Sequence, residues 1–205
     1  AQAQLVITPS LKWAAGLTGN GNIRDAMAKP HLAKGEAGHV ISAGMFEGTI
    51  DFDPGANQED LTSMYGLYIW KADSNGTFVW AKMISVETFS DKMGFPLLLL
   101  NTLTVDTDNG DIYLSGVYGD STIDFDPGPG IHTLTPKYEQ YGMFQPEQFV
   151  LKLDASGEFQ WVMSAGIYNS HGFGSSVLGK GRADNGKHIY FSGTYEPFGN
   201  WPFAI

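Results

Sequence analysis

The chain has 205 residues, with 22 acidic against 12 basic side chains, a formal net charge of −10 and no cysteine. The negative charge argues against binding to nucleic-acid phosphates or to anionic lipid, and the lack of cysteine excludes disulfides and zinc–thiolate sites. Its longest apolar run, Leu97–Leu100, is far shorter than the ~20 residues that span a membrane as a helix.

The first ten residues are interpreted as a leader that remains after signal-peptide cleavage. Ala1–Gln4 are small and polar, as is typical near a cleavage site. This pattern predicts a protein that is secreted or displayed at the cell surface, extracellular or periplasmic.

An internal repeat runs through residues 11–205, which are predicted to form one domain. The string TIDFDPG occurs at 49–55 and again at 122–128. A second block, KADSNG at 71–76 and KLDASG at 152–157, is followed each time by a tryptophan. Such self-similarity is the signature of repeat architectures. The predicted units span approximately 24–84, 97–166 and, as a partial copy, 174–205, and residues 11–18 match the last strand of a unit.

Each unit is predicted to contain four strands. In the second unit, apolar or alternating runs at Leu103–Asp106, Ile112–Tyr118, Phe149–Leu153 and Phe159–Met163 have strand length and composition. Asp-Asn-Gly and Asp-Ala-Ser-Gly turn signals separate them. No segment shows a convincing helical period. We therefore expect an all-β fold of four-stranded antiparallel blades of the β-propeller type, with about 2.5–3 blades in this chain.

The segments TVDTDNGDIYLSG (104–116) and FVLKLDASGEFQW (149–161) resemble the bacterial seven-bladed β-propeller repeat family. The FDPG element is similar to a variant of that repeat found in large secreted surface proteins. The resemblance covers nearly the whole chain from Trp13 onward. It implies the propeller fold and the extracellular compartment, and it implies no particular activity.

Four carboxylates in the repeated TIDFDPG string are the candidate metal ligands: Asp51, Asp53, Asp124 and Asp126. Positions i and i+2 of a strand share one face, so each pair presents two carboxylates together. Calcium favours several oxygen ligands of this kind. The alternative is that these aspartates shape the turn by accepting backbone N–H bonds.

Other candidate groups have structural interpretations as well. The run Asp106–Asp111 resembles a calcium loop, but its repeat counterparts lose most of the acids. The five histidines show no metal-binding spacing. Trp13, Trp80 and Trp161 recur at one repeat position, where they could stack on sugars or pack between blades. We expect Trp80 and Trp161 to be largely buried.

These observations predict a non-catalytic binding or structural module that presents loops on a rigid scaffold. The candidate loops are Ser85–Pro96 and Pro136–Gln148, whose ligand would be a protein or a glycan. The alternatives are a carbohydrate-binding adhesin or a glycan-acting enzyme. Three blades are too few for a closed ring. We therefore expect either self-association, with isologous pairing of two copies, or further blades of a longer chain. No cofactor is expected apart from the calcium considered above.

Overall fold

The computed structural model describes residues 11–24, 29–86, 97–119, 121–136, 139–140, 143–144, 146–167, 179–184 and 188–192. Within these ranges the protein is all-β, with antiparallel sheets, and its single helical element is a 3-10 turn at Glu36–Gly38. No helix among these residues is long and apolar enough to cross a membrane. The predicted leader, residues 1–10, lies outside the described residues.

The first sheet has four strand positions. Its members are β1 (Thr18–Gly19), β2 (Asn22–Arg24), β3 (His31–Lys34), β4 (Val40–Asp51), β5 (Asp60–Ala72) and β6 (Phe78–Ser85). The short strands β1, β2 and β3 all pair with β4, so together they form one interrupted edge strand. Strands β4, β5 and β6 then follow in chain order, each antiparallel to the one before.

The second sheet repeats this arrangement. Its strands are β7 (Leu97–Val105), β8 (Ile112–Gly119), β13 (Glu147–Leu153) and β14 (Phe159–Ile167). Their spatial order, β7-β8-β13-β14, is again the order along the chain. The connection between β8 and β13 carries four short strands: β9 (Ile123–Asp124), β10 (Thr133–Leu134), β11 (Glu139–Gln140) and β12 (Met143–Phe144).

A third, two-stranded sheet follows, formed by β15 (Gly179–Asp184) and β16 (His188–Ser192). Strand β15 contacts β7, and β7 also contacts β3. The first strands of the three successive sheets therefore lie beside one another. This places equivalent strands side by side, as a tandem repeat requires.

The last hairpin of each sheet closes through the same turn. In the first sheet, Oδ1 of Asp73 accepts the N–H groups of Asn75 (2.7 Å) and Thr77 (2.9 Å). In the second, Oδ1 of Asp154 accepts those of Ser156 (2.8 Å) and Glu158 (3.1 Å). These are the Asp-x-x-Gly hairpins that the sequence predicts, and the aspartate side chain holds each turn.

The largest apolar core contains residues from both four-stranded sheets. Fully buried members include Leu67 and Ile69 from β5, Leu98 from β7 and Leu151 from β13. Burial of each such side chain contributes about 1.5–3 kcal/mol to folding. The two sheets are therefore stabilised by a shared core, and the first sheet carries a second apolar cluster of its own that includes Phe46, Phe52 and Tyr68.

Trp80 and Trp161 are expected to be largely buried, and the structure places neither of them among the exposed residues. Both side chains are half-buried in the structure. Trp80 packs against the edge of the shared core, whereas the ring of Trp161 lies 6.4 Å from that of Tyr113 on its own sheet. Side chains of a strand alternate between the two faces of the sheet. On a strand at the outer edge, neighbouring residues therefore cover such a side chain on one side only.

Candidate functional site

The two TIDFDPG loops have the same internal hydrogen bonds. Oδ1 of Asp51 accepts the N–H groups of Asp53 (3.0 Å) and Glu59 (2.9 Å). One repeat later, Oδ1 of Asp124 accepts those of Asp126 (3.0 Å) and His132 (2.9 Å). These carboxylates therefore reinforce loops whose ends are also strand-paired, Asp51 with Asp60 and Asp124 with Thr133.

The second aspartate of each loop holds the Pro-Gly turn. Oδ1 of Asp53 accepts the N–H of Gly55, and Oδ1 of Asp126 accepts that of Gly128, both at 2.7 Å. The four candidate metal ligands therefore each use one oxygen to shape their own loop. This geometry agrees with the turn-forming interpretation of the string.

A phenylalanine between the two aspartates anchors each loop in the core. The ring of Phe52 is fully buried, 5.5 Å from Phe46 and 5.2 Å from Tyr68. The same arrangement recurs in the second unit, where the ring centroid of Phe125 lies 5.8 Å from that of Tyr118 and 4.8 Å from that of Phe149. Edge-to-face and tilted aromatic contacts of this kind add about 0.5–1.5 kcal/mol beyond their buried area.

The aspartates do not gather into a recognisable metal cage. Among the described residues, no three His, Asp or Glu side chains are grouped so that they could hold one ion. Nε2 of His132 lies 3.9 Å from Oδ2 of Asp126. A calcium site at Asp51, Asp53, Asp124 and Asp126 therefore stays a prediction.

The acidic run Asp106–Asp111 also forms a closed turn. Oδ1 of Asp106, which is 2% exposed, accepts the N–H of Asp108 at 3.0 Å. Asp111 instead forms an ion pair with Lys152, in which Oδ2 lies 2.6 Å from Nζ. Burial lowers the pKa of Lys152, but the hydrogen bond and negative charge of Asp111 outweigh it, so the net shift is upward. The acids of this run therefore have different structural partners.

A groove lies beside each TIDFDPG loop. Its other wall is the last strand of the preceding unit, or the segment that corresponds to that strand. The larger has a volume of about 670 Å³ and lies between the end of β6 and the second loop. Glu59, Lys82, Asp124 and Asp126 contribute charged groups to its lining. The smaller, about 480 Å³, lies between residues Ala14–Gly16 and the first loop. The grooves are thus a repeated feature that the sequence did not reveal.

Contacts between neighbouring units repeat as well. A Cβ placed on Gly76 would lie 2.5 Å from Cδ2 of Trp13, and one on Gly157 would lie 3.0 Å from Cη2 of Trp80. Trp13 and Trp80 therefore each pack on the turn glycine of the next hairpin. Sequence reasoning identified these tryptophans as packing residues but did not identify the glycines as their partners.

A buried polar cluster lies in the second sheet and has no counterpart at the equivalent described positions of the first sheet. Tyr118 and Ser164 donate hydrogen bonds of 2.8 and 2.5 Å to the same oxygen, Oε2 of Glu147. Tyr118 and Glu147 are 0% and 2% exposed, and burial, together with the neighbouring carboxylate, raises the pKa of Tyr118. The corresponding positions of the first sheet hold Phe46, Gly66 and a methionine. Because the side chains of Tyr118 and Glu147 are inaccessible to solvent, the cluster is suited to stabilising the second sheet.

Comparison of the chain with protein-family models, with curated proteins and with solved structures finds no match.

Proposed function

We propose that the chain is a non-catalytic binding or structural module built on a β-propeller-type scaffold, whose four-stranded sheets are the blades. Two observations support the scaffold: each complete sheet has its strands in up-and-down order, and the first strands of successive sheets lie side by side. Propeller blades have this strand order. We also propose secretion or display at the cell surface, which the similarity of the FDPG element to that of large secreted surface proteins supports.

One observation carries the non-catalytic part of the proposal. The polar groups that the two units share are used to hold the scaffold together. The repeated aspartates accept backbone N–H groups of their own loops. Lys71 donates to a carbonyl of the next unit at 2.7 Å. A catalytic site needs convergent groups that remain accessible to substrate, and the shared groups have structural partners instead.

Binding is assigned to positions that differ between the units. The grooves have the same location but different linings, since the larger contains Lys82 and Glu59 and the smaller contains small residues of 14–16. Most of the candidate loops Ser85–Pro96 and Pro136–Gln148 lies outside the described residues. Variable segments on a constant scaffold are the usual location of recognition.

The test is a substrate screen with the full chain. Polysaccharides, esters and peptides incubated with the purified protein should show no turnover above a heat-denatured control. Turnover that is lost in Glu59→Gln but retained in Gln58→Ala would place an enzymatic site in the larger groove and overturn the non-catalytic assignment.

Carbohydrate binding is the second candidate function, and the larger groove favours it. Its carboxylates and Lys82 offer acceptors and a donor to the hydroxyl groups of a sugar. A glycan array would detect such a ligand. Binding that falls at least tenfold in Glu59→Gln, with an unchanged thermal midpoint, would support an adhesin over a purely structural module.

A further inference from the structure

Besides the tryptophan, a lysine takes part in each contact between successive units: Lys12 precedes Trp13 in the chain, whereas Lys71 is the cross-strand partner of Trp80. Nζ of Lys12 donates to the carbonyl of Ser74 at 2.7 Å, next to Trp13 on the first hairpin. Nζ of Lys71 donates to the carbonyl of Ala155, also at 2.7 Å, next to Trp80 on the second hairpin. Ser74 and Ala155 occupy the same position of the Asp-x-x-Gly turn. Each hairpin is therefore held by one lysine and one tryptophan.

The second sheet carries the same pair, and in the part of the chain that the structure describes no hairpin lies against it. Lys152 and Trp161 are cross-strand partners in β13 and β14, as Lys71 and Trp80 are in β5 and β6. Lys152 forms its ion pair with Asp111 and lies 5.5 Å above the ring of Tyr113. Side chains at these positions of the first sheet therefore contact the next unit. In the second sheet, the equivalent side chains contact residues of their own sheet instead.

Large apolar groups are exposed around this pair. Met163 is 51% exposed and Ile131 is 78% exposed. Met163 lies two residues from Trp161 and therefore on the same face of β14. The equivalent position in the first sheet is Lys82, which forms an ion pair with Glu158 at 2.7 Å. This face of the second sheet thus corresponds, position by position, to the face that the first sheet uses to bind its neighbour.

The hairpin Asp73–Gly76 is covered in a different way from the second hairpin. Its lysine and tryptophan come from residues 11–17, which belong to no strand, and residues 14–17 are exposed. The second hairpin is covered by a complete sheet with a shared core. Because the first cover lacks strand pairing and much of the burial, it can be displaced by the same chemical groups presented from a rigid sheet.

We propose that the Lys152–Trp161 face is a docking surface for the Asp73–Gly76 hairpin of a second copy of this chain. The Lys152 ammonium would bind the Ser74 carbonyl of the second copy, and the Trp161 indole would pack on its Gly76. The two surfaces differ, so the contact is head-to-tail and not isologous, and it can repeat into a ring or a filament. This inference rests on the contacts between units and does not depend on what the grooves bind.

The proposed contact determines which side chains of the two copies lie next to each other. The positions that correspond to Lys82 and Glu158 are Met163 in one copy and Thr77 in the other. Because the chain has no cysteine, thiols introduced at these two positions are the only ones present. Met163→Cys protein mixed with Thr77→Cys protein and a short bismaleimide should give a covalent dimer. A Lys82→Cys, Glu158→Cys double variant, which should cross-link within one chain, verifies the reach of the reagent.

Three variants test the residues involved. Adding Trp161→Ala to the Met163→Cys chain should reduce the dimer at least tenfold, whereas Met64→Ala, at another exposed apolar residue, should leave it unchanged. Adding Lys12→Ala and Trp13→Ala to the Thr77→Cys chain should increase the dimer several-fold, since the competing cover is removed. The last variant gains signal, which a simple loss of the docking surface cannot produce.

The outcomes separate the alternatives. Equal cross-linking of Met163→Cys protein with itself would indicate isologous pairing and overturn the proposal. No dimer in the mixture at high micromolar concentration, while the intrachain control reacts, would also overturn it. Sedimentation provides an independent measurement: Met163→Lys mixed with Thr77→Glu should associate several-fold more than Met163→Glu mixed with Thr77→Glu, because only the first mixture restores the ion pair.

Discussion

Trp80 of the first sheet packs on Gly157 of the second, so closely that a Cβ on the glycine would lie 3.0 Å from Cη2 of the indole. Gly157 also has a φ of 78°, a left-handed conformation that other L-residues rarely adopt. One position thus meets two requirements, the turn of its own hairpin and the packing of the neighbouring unit.

Gly157→Ala should therefore destabilise the protein. The left-handed conformation alone costs about 1–2 kcal/mol for a residue with a Cβ, and displacement of the indole adds to it. Gly16→Ala is the matched control, because a Cβ there meets nothing within 4 Å. Urea denaturation monitored by tryptophan fluorescence measures both. Equal midpoints for the two variants would show that the hairpin does not depend on this contact.

Trp80→Ala should lower the free energy of unfolding more than Trp161→Ala does. Trp80 packs against the shared core and the next hairpin, so its loss should cost about 2–3 kcal/mol, less than the ~3–5 kcal/mol of a fully buried aromatic. Trp161 contacts the ring of Tyr113 on its own sheet, and we expect about 1 kcal/mol. The difference in free energy of unfolding, from urea denaturation at low protein concentration, tests this. A larger loss for Trp161→Ala would contradict it.

Asp124→Ala should destabilise the second TIDFDPG loop by about 1–3 kcal/mol, because two backbone N–H groups would lose their acceptor. Asp124→Asn keeps an oxygen in place and should retain most of the stability. The same pair of substitutions at Asp51 should behave alike, since that loop has the same hydrogen bonds. Thermal midpoints of the four variants test the prediction, and equal effects of Ala and Asn would refute it.

The Tyr68→Phe variant should lose less stability than the wild-type protein when the pH is raised into the alkaline range. Burial raises the pKa of Tyr68 above the ordinary tyrosine value of 10.0, so the unfolded chain releases this proton at a lower pH than the folded chain does. The folded state then binds more protons, and stability falls as pH rises, by up to about 1.4 kcal/mol per pH unit. Phenylalanine cannot ionise and therefore removes this contribution. The equivalent position of the second unit is already a phenylalanine, Phe149. Urea denaturation at pH 9 and pH 11 should show a shallower decline in the variant; an identical decline would contradict it.

Calcium should have little effect on the thermal midpoint. One oxygen of each of the four candidate aspartates already accepts a backbone N–H, and the described residues show no cluster of three potential ligands. Differential scanning fluorimetry in millimolar calcium, with and without chelator, measures the shift. A rise of many degrees that the chelator reverses would identify Asp51, Asp53, Asp124 and Asp126 as ligands, because ligand binding to the native state raises its stability.

The amino-acid sequence by itself determined the local structure of this protein. Offsets between identical strings revealed the repeat, and alternating apolar runs with Asp-x-x-Gly signals predicted the strands and hairpins that the structure contains. These features depend on residues within a few positions of one another, where backbone preference and side-chain hydrogen bonding act directly. The turn-forming role of the aspartates could be read in the same way.

The tertiary structure decided the relationships between units. Nothing in the sequence pairs Trp80 with Gly157 or Lys71 with the carbonyl of Ala155, because residues about eighty positions apart meet only after both sheets have folded and packed. The half-buried state of Trp161 has the same origin. A side chain's burial depends on what covers its sheet, and the strand pattern specifies only which face it occupies.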